Sequence, residues 1–120
     1  MGRVRLTSME QKSYAMQSKE IVNNFSNEIR HLLKKNLVKE YLFGSSIKVG
    51  QKDFSDIDIL IIVKKYHPDL REKISDISSK YSLEKGVIFS PIIKQLEIWE
   101  KNKRYNTLFY NEIANFGIEL

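Results

Sequence analysis

The 120-residue sequence contains no cysteine, only two prolines and five glycines. The absence of cysteine excludes disulfide bonds and thiolate metal sites, and it suits the reducing cytoplasm, where we expect the protein to reside. The sequence also lacks an apolar run of the roughly 18 residues that a membrane-spanning helix needs. Its N-terminus has no signal-peptide apolar core. We therefore expect a protein without membrane segments.

No linker, repeat or low-complexity tract divides the chain, so we expect a single domain over residues 1–120. A hydrophobic content of 42% is enough for one core. The formal net charge is +5, which permits attraction to nucleotides, nucleic acid or an acidic protein. The basic residues are scattered, however, which is typical of an ordinary solvated surface. We therefore do not expect nucleic acid to be the main partner.

Apolar periodicity predicts an α+β domain with a long N-terminal helix. The predicted helices are about Met9–Asn36, a helix that begins at Pro68, Leu96–Lys103 and Leu108–Asn115, and the predicted strands are Val38–Phe43, Asp56–Val63, Val87–Ile93 and a short final strand at 118–120. The unbroken apolar part of the second strand is typical of a central strand covered on both faces, and Pro91 favours an edge position or a bulge in the third. This order predicts a small mixed sheet packed against helices on one side.

Two short motifs, separated by ten residues, carry the chemistry of the sequence. Gly44-Ser45 follows a predicted strand, and such a turn can direct backbone N–H groups and a hydroxyl at a phosphate. Asp56 and Asp58 begin the next strand, where residues two apart share a face, so both carboxylates can bind one hard cation such as Mg²⁺. A turn rich in glycine and serine, followed by an exposed polar strand start, would account for the same residues without a ligand.

The Gly-Ser pair, ten residues and Asp-x-Asp together resemble the nucleotidyltransferase superfamily of DNA polymerase beta, specifically its stand-alone minimal members. The resemblance implies a palm-like core in which Asp56 and Asp58 hold catalytic Mg²⁺. It also implies that Gly44, Ser45, Ser46 and Lys48 contact the phosphates of an NTP, with ATP as the expected donor. The implied reaction transfers a nucleoside monophosphate to a hydroxyl acceptor. Some minimal members resemble antitoxins that modify a helical HEPN-type toxin, which makes such a protein the expected partner.

The sequence departs from the family pattern at the third carboxylate, which active members usually carry on a neighbouring strand. The matching strand, Val87–Ile93, has no acidic residue. Gly86 stands near the expected position, Ser90 can face the site, and Glu84 is the nearest acid in sequence. Without this carboxylate, activation of the acceptor would weaken. A second hypothesis is therefore a catalytically impaired module that binds nucleotide and metal and interacts with a partner.

The C-terminal aromatic residues permit a third hypothesis. Aromatic residues are interleaved with basic ones here, an arrangement that can stack nucleic-acid bases. The aromatic residues are Trp99, Tyr105, Phe109 and Tyr110, and the basic residues are Lys101, Lys103 and Arg104. The same spacing is typical of the apolar faces of two amphipathic helices, or of a partner interface, and we favour that interpretation. The sequence leaves the oligomeric state open, a homo-oligomer included.

Overall fold

The computed structural model describes residues 8–44 and 56–120, with side chains described from Lys19 onward in the first helix. In chain order, the elements are α1 (Ser8–Leu33), a 3₁₀ turn (Lys34–Asn36), β1 (Leu37–Phe43), β2 (Asp56–Val63), α2 (Pro68–Lys85), β3 (Ile88–Gln95), α3 (Leu96–Arg104), α4 (Leu108–Phe116) and β4 (Ile118–Glu119). Each predicted helix and strand is present, so the predicted α+β class is confirmed. The bounds lie within about two residues of those expected, except that α1 ends at Leu33 and the 3₁₀ turn occupies the last three residues of the predicted first helix.

The strands form one mixed sheet in the order β3-β2-β1-β4. β1 pairs antiparallel with β2 and with β4, whereas β2 pairs parallel with β3. The parallel pair is joined by α2, which makes a standard β-α-β connection. β2 is thus central and β3 is an outer strand, which confirms the position predicted from Pro91.

The sheet is covered by helices on both faces, so the prediction of helices on one side was wrong. Alternate residues of β2, from Ile57 to Val63, pack in one core with α1 and α2. The intervening residues Leu60 and Ile62 pack in a second core with Trp99 of α3 and Ile113 of α4. Five consecutive β2 residues, 59–63, are at most 1% exposed because both faces are covered. Periodicity showed that α3 and α4 are amphipathic, but it could not show which face of the sheet they cover.

Aromatic contacts join α1, α2 and β3 within the first core. The Phe25 ring stacks on Phe89 with centroids 4.0 Å apart, and Tyr81 meets both rings edge-on at 5.6 and 5.4 Å. Such pairs each add about 0.5–1.5 kcal/mol beyond the burial of their surface. Because β3 pairs directly with β2, these contacts also hold in place the strand that carries the two aspartates.

The ends of α2 are fixed by two residues of restricted or unusual backbone geometry. Pro68 occupies the first turn, where its missing N–H costs no helical hydrogen bond. Gly86 ends the helix in the left-handed region, with φ of 66°, and its N–H donates to the Ser82 carbonyl.

Among the described helices, none combines the length and apolar character that crossing a membrane requires.

Candidate active site

The two motif aspartates lie where β2 begins, beside the point where β1 ends. Phe43, the last residue of β1, pairs with Asp58, and Gly44 follows directly with φ of 85°. Gly44 lies against the Asp58 side chain: a Cβ on Gly44 would be 3.1 Å from the Asp58 carboxyl carbon and 3.3 Å from its Cβ. Only glycine suits both this backbone conformation and this close approach. The fold thus brings the glycine turn and the second carboxylate into direct contact.

Asp56 and Asp58 are on the same face of β2 as Leu60 and Ile62, because side chains alternate along a strand. This is the face that α3 and α4 cover farther along the strand. Asp56 is exposed and Asp58 is half-buried. The strand therefore presents both carboxylates at the end of the sheet, just beyond the edge of the second core.

Asp58 is in an environment that disfavours its negative charge. Burial raises the pKa of the Asp58 carboxyl above its usual value, and the negative charges of Asp56 and Glu112 raise it further. A cation bound between the two aspartates would offset both the repulsion and the lost hydration. The donor set of two carboxylates fits Mg²⁺, which is commonly bound by one or two carboxylates, with water and substrate phosphates as its other ligands. Within residues 8–44 and 56–120, no group of three or more acidic or histidine side chains is close enough to form a fuller cage.

The register of the parallel pair shows which β3 residues accompany the aspartates. Ile88 pairs with Asp56 and Ser90 pairs with Asp58. Ser90 thus faces the site, as predicted, and it is exposed. Gly86, which stands near the position expected for the third carboxylate, is the C-cap of α2; it precedes β3 and pairs with neither aspartate. The residue beside Asp58 is the serine, and β3 has no acidic residue, as expected from the sequence.

Glu84 does not supply the absent carboxylate. It is exposed near the end of α2, the helix that covers the opposite face of the sheet. Its charge acts on Lys80 and Tyr81, and it is not among the groups that raise the pKa of Asp58.

Sequence reasoning missed Glu112. This exposed residue of α4 precedes the buried Ile113, and its charge acts on Asp58. Phe109, one turn earlier on α4, meets the Phe43 ring edge-on at 5.5 Å, which places this part of the helix over the end of β1. No local signal marks Glu112, since it is an ordinary polar residue on the exposed side of an amphipathic helix. Its relation to the aspartates depends entirely on how α4 crosses the sheet.

The other predicted phosphate ligands, Ser45, Ser46 and Lys48, lie outside the described residues. Among the C-terminal aromatic residues, Trp99, Phe109 and Tyr110 pack together, whereas Tyr105 is 73% exposed. The Trp99 ring contacts Phe109 and Tyr110 at 6.0 and 5.5 Å, and it is buried in the second core. Their spacing therefore reflects the apolar faces of α3 and α4, and it does not form an open platform for bases.

Comparisons with known proteins agree on a family. The family model "Polymerase beta, Nucleotidyltransferase" matches residues 27–119. A protein of Methanocaldococcus jannaschii that is provisionally named a protein adenylyltransferase is 38% identical over 103 residues, which covers 84% of this chain and 96% of that protein. Spectinomycin 9-adenylyltransferase of Enterococcus faecalis is 38% identical over 66 residues, covering 51% of this chain and 26% of that protein.

A solved structure has the same fold. It is a chain of a toxin–antitoxin crystal structure with AMP-PNP, which aligns with a TM-score of 0.53 over 80% of this chain and 69% of that chain. The two sequences are 18% identical, so this likeness concerns the fold.

Proposed function

The chain belongs to the polymerase beta nucleotidyltransferase family, and from this premise we propose that it transfers AMP from Mg²⁺-bound ATP to a hydroxyl group of a protein. The single observation that carries the proposal is the contact between Gly44 and the Asp58 side chain. It joins a turn suited to phosphate with a carboxylate suited to the cation that accompanies phosphate. The names of the two adenylyltransferase relatives support AMP as the transferred group.

The reaction is a displacement at the α-phosphorus of ATP. The acceptor oxygen forms a new bond to this phosphorus, and the bond from the phosphorus to the bridging oxygen of the β-phosphate breaks. Pyrophosphate leaves with the electron pair of that bond, and the acceptor hydroxyl gives up its proton to solvent water. Mg²⁺ held by Asp56 and Asp58 would neutralise charge that develops on the phosphate oxygens. The turn at Gly44 would orient the phosphates with Ser45, Ser46 and Lys48.

The contribution of the protein to this chemistry is mostly positioning. Asp58 is fixed by the pairing of β2 with its two neighbours, whereas Asp56 is exposed at the strand start. Glu112 adds negative charge from α4, on the same side of the sheet. We propose that this extra charge strengthens the attraction of the site for a cation.

We propose a helical HEPN-type protein as the acceptor, so that this chain would act as an antitoxin. The toxin–antitoxin assembly that contains the fold neighbour is consistent with this partner. The name of the M. jannaschii relative, a protein adenylyltransferase, supports a protein as the class of acceptor.

A second candidate function is supported by Ser90. Because a serine pairs with Asp58 at the position beside the site, the fold can bind nucleotide and metal without efficient activation of an acceptor. The protein would then be an interaction module whose nucleotide site stabilises a complex.

Calorimetry with ATP and Mg²⁺ tests the site that both functions share. We expect Mg²⁺-dependent binding that Asp56→Asn and Asp58→Asn each weaken at least about tenfold, because half of the protein ligands to the cation are removed. Asp76→Asn, which changes an exposed aspartate of α2, is the matched control and should bind as the original chain does. Binding that survives in the double variant would refute the site.

Label transfer separates the two functions. With ATP labelled at the α-phosphate, an enzyme should leave the label on its protein acceptor, whereas label at the γ-phosphate should leave as pyrophosphate. If the chain binds Mg²⁺-ATP but a HEPN-type partner protein acquires no label from the α-phosphate, the interaction module is favoured. Label that the partner protein acquires from the γ-phosphate would indicate phosphoryl transfer and contradict both proposed functions.

A further inference from the structure

β3 has an unpaired backbone edge next to the candidate active site. It is the outer strand of the sheet, and no strand in the described part of the chain pairs with its other side. Such an edge exposes a row of N–H and C=O groups that an extended peptide can join by main-chain hydrogen bonds. Pro91 removes one donor from β3, and alternate residues along the strand direct their N–H and C=O groups to this outer edge, while the others face β2.

A groove of 620 Å³ lies along this edge, between β3 and α2. Its α2 wall contains Arg71, Ser75, Ser79 and Ser82, which are spaced three or four residues apart and so share one side of the helix. Its other wall includes Ile92, which is 39% exposed. Short polar side chains on one wall leave room for a peptide beside the strand edge, and their hydroxyls can bond to its backbone.

The charge of the groove indicates an acidic occupant. Arg71 is the only charged residue among the described groove-lining residues, and none of the described ion pairs includes it. A second copy of β3 would be a poor occupant, since its sequence IFSPIIKQ brings a lysine and no acid to Arg71. An acidic side chain on a partner segment would complement Arg71.

The outer edge of β3 lies close to the aspartates, because Ser90 of β3 pairs with Asp58 of β2. A strand added to β3 would lie about 4.8 Å from it, and therefore about 10 Å from β2. A side chain opposite Ser90 that points to the aspartate face would cross the short Ser90 side chain toward Asp58. Ile88 and Ile92, exposed on the same face at either side of Ser90, would flank its path. The short side chain at position 90 thus leaves an approach to the site open.

From these observations we infer that the groove between α2 and β3 binds an extended, acidic segment of the acceptor protein as an added edge strand. In this arrangement Arg71 pairs with an acidic side chain, and the hydroxyl to be modified crosses Ser90 toward the two aspartates. The inference names the acceptor segment for the function proposed above and depends on that function for its chemistry, although the binding itself does not require nucleotide.

Selection from a random peptide library displayed on phage tests the docking on the whole chain. We expect enriched peptides of extended, β-favouring sequence with an aspartate or glutamate at a fixed position. Arg71→Glu should weaken binding of the selected acidic peptides about tenfold or more and shift a new selection toward lysine and arginine. Lys73→Glu, which reverses an exposed charge on α2 outside the groove, is the matched control and should leave the selection unchanged.

Backbone methylation then tests the edge pairing. In a selected peptide, methylation of the backbone nitrogen at every second residue should abolish binding, because alternate N–H groups face β3. Methylation at the intervening residues should have little effect. Equal sensitivity at all positions, or at none, would overturn the strand addition, as would a library that yields no Arg71-dependent binder. Dimers of the chain that Arg71→Glu strengthens would show that the edge pairs with a second copy instead.

Failure of this inference is distinguishable from failure of the proposed function. Peptide selection needs neither ATP nor Mg²⁺, whereas calorimetry and label transfer need no selected peptide. Peptide binding that depends on Arg71, in a chain that does not bind Mg²⁺-ATP, would support the docking groove and refute the transfer reaction. Mg²⁺-ATP binding and label transfer that Arg71→Glu leaves unchanged would preserve the reaction and refute the docking groove.

Discussion

Gly44 packs directly against the carboxyl group of Asp58, at a distance that leaves no room for a side chain on residue 44. Two independent constraints therefore require glycine here, since the backbone of Gly44 also has φ of 85°. We expect Gly44→Ala to cost about 1–2 kcal/mol of unfolding free energy from backbone strain. We also expect it to displace Asp58 and abolish Mg²⁺-dependent ATP binding, measured by denaturant unfolding and calorimetry.

Gly86 provides the matched control for this substitution. It has a similar φ of 66°, but nothing lies within 4 Å of the position its Cβ would occupy. Gly86→Ala should therefore introduce backbone strain without displacing Asp58. The unfolding free energy should fall while ATP binding is retained. Equal loss of binding in the two variants would show that strain alone, and not contact with Asp58, explains the effect.

Asp58 should destabilise the fold when it is ionised and no cation is bound. Its pKa is raised, first by burial, so the folded protein holds the Asp58 proton more tightly than the unfolded chain does. The resulting stabilisation is present below the ordinary pKa of 3.8 and is lost as the pH rises through the raised value. Asp58→Asn should consequently raise the melting temperature at neutral pH while it weakens Mg²⁺-ATP binding.

The pH dependence checks this explanation. Below pH 3.8, where the original carboxyl is protonated, the stabilisation by Asp58→Asn should disappear. Fluorescence of Trp99, the single tryptophan, gives the unfolding signal from within the second core. Asp76→Asn on exposed α2 should have little effect at either pH. A stabilisation by Asp58→Asn that is the same at both pH values would exclude the charge as its cause.

Glu112 should act on Asp58 through its charge. Removal of that charge by Glu112→Gln lowers the repulsion, so the pKa of Asp58 should fall toward its ordinary value. Carboxyl NMR of the metal-free protein measures this shift directly. Glu97→Gln, a change in the first turn of α3, serves as the control because Glu97 is not among the groups that act on Asp58.

The same variant has a second consequence if the aspartates bind Mg²⁺. With less negative charge nearby, the cation should bind more weakly, even though the Asp58 pKa has fallen. The effect should shrink as ionic strength rises, because the exposed Glu112 acts through screened electrostatics. An Asp58 pKa that does not change in Glu112→Gln would contradict the placement of α4 over the site.

The sequence was sufficient to predict the elements whose signals are local. The apolar run of β2, the proline of β3 and the glycine after α2 each indicated a structure that the fold contains. Asp56 and Asp58 share a face for the same local reason, the alternation of side chains along a strand. Ser90 was expected to face the site, and the register with Asp58 confirms this.

Relations between distant elements were not predictable in this way. The identity of the β3 residue beside Asp58 depends on the offset between two parallel strands, and the register of the folded sheet pairs Ser90, not Gly86, with Asp58. The coverage of the second face by α3 and α4, and with it the position of Glu112, depends on helix packing that leaves no mark in the local pattern. The buried acid Glu40 was missed for a similar reason, because its environment is provided by α1.

Glu40 of β1 and Ser26 of α1 form a buried polar contact outside the candidate site, and both are at most 2% exposed. The Ser26 hydroxyl donates to Glu40 Oε2 at 2.7 Å, and Arg30 Nε lies 3.6 Å from the same oxygen. Glu40 Oε1 is buried and has no hydrogen-bond partner among the described residues. Burial raises the pKa of Glu40, while Ser26 and Arg30 oppose the rise. Ser26 is therefore the principal uncharged group that compensates the buried carboxylate.

Ser26→Ala should lower the unfolding free energy by about 1–3 kcal/mol at neutral pH, because it removes the donor to a buried charged group. The pKa of Glu40 should rise further, so the loss should be smaller below pH 4.5, where the carboxyl is protonated in the folded and unfolded states alike. Ser78→Ala is the control, since that hydroxyl donates only to the Ile74 carbonyl one helical turn away and should cost less. Urea unfolding of both variants across this pH range measures the difference. An equal, pH-independent loss in the two variants would show that Ser26 contributes by packing and does not compensate the Glu40 charge.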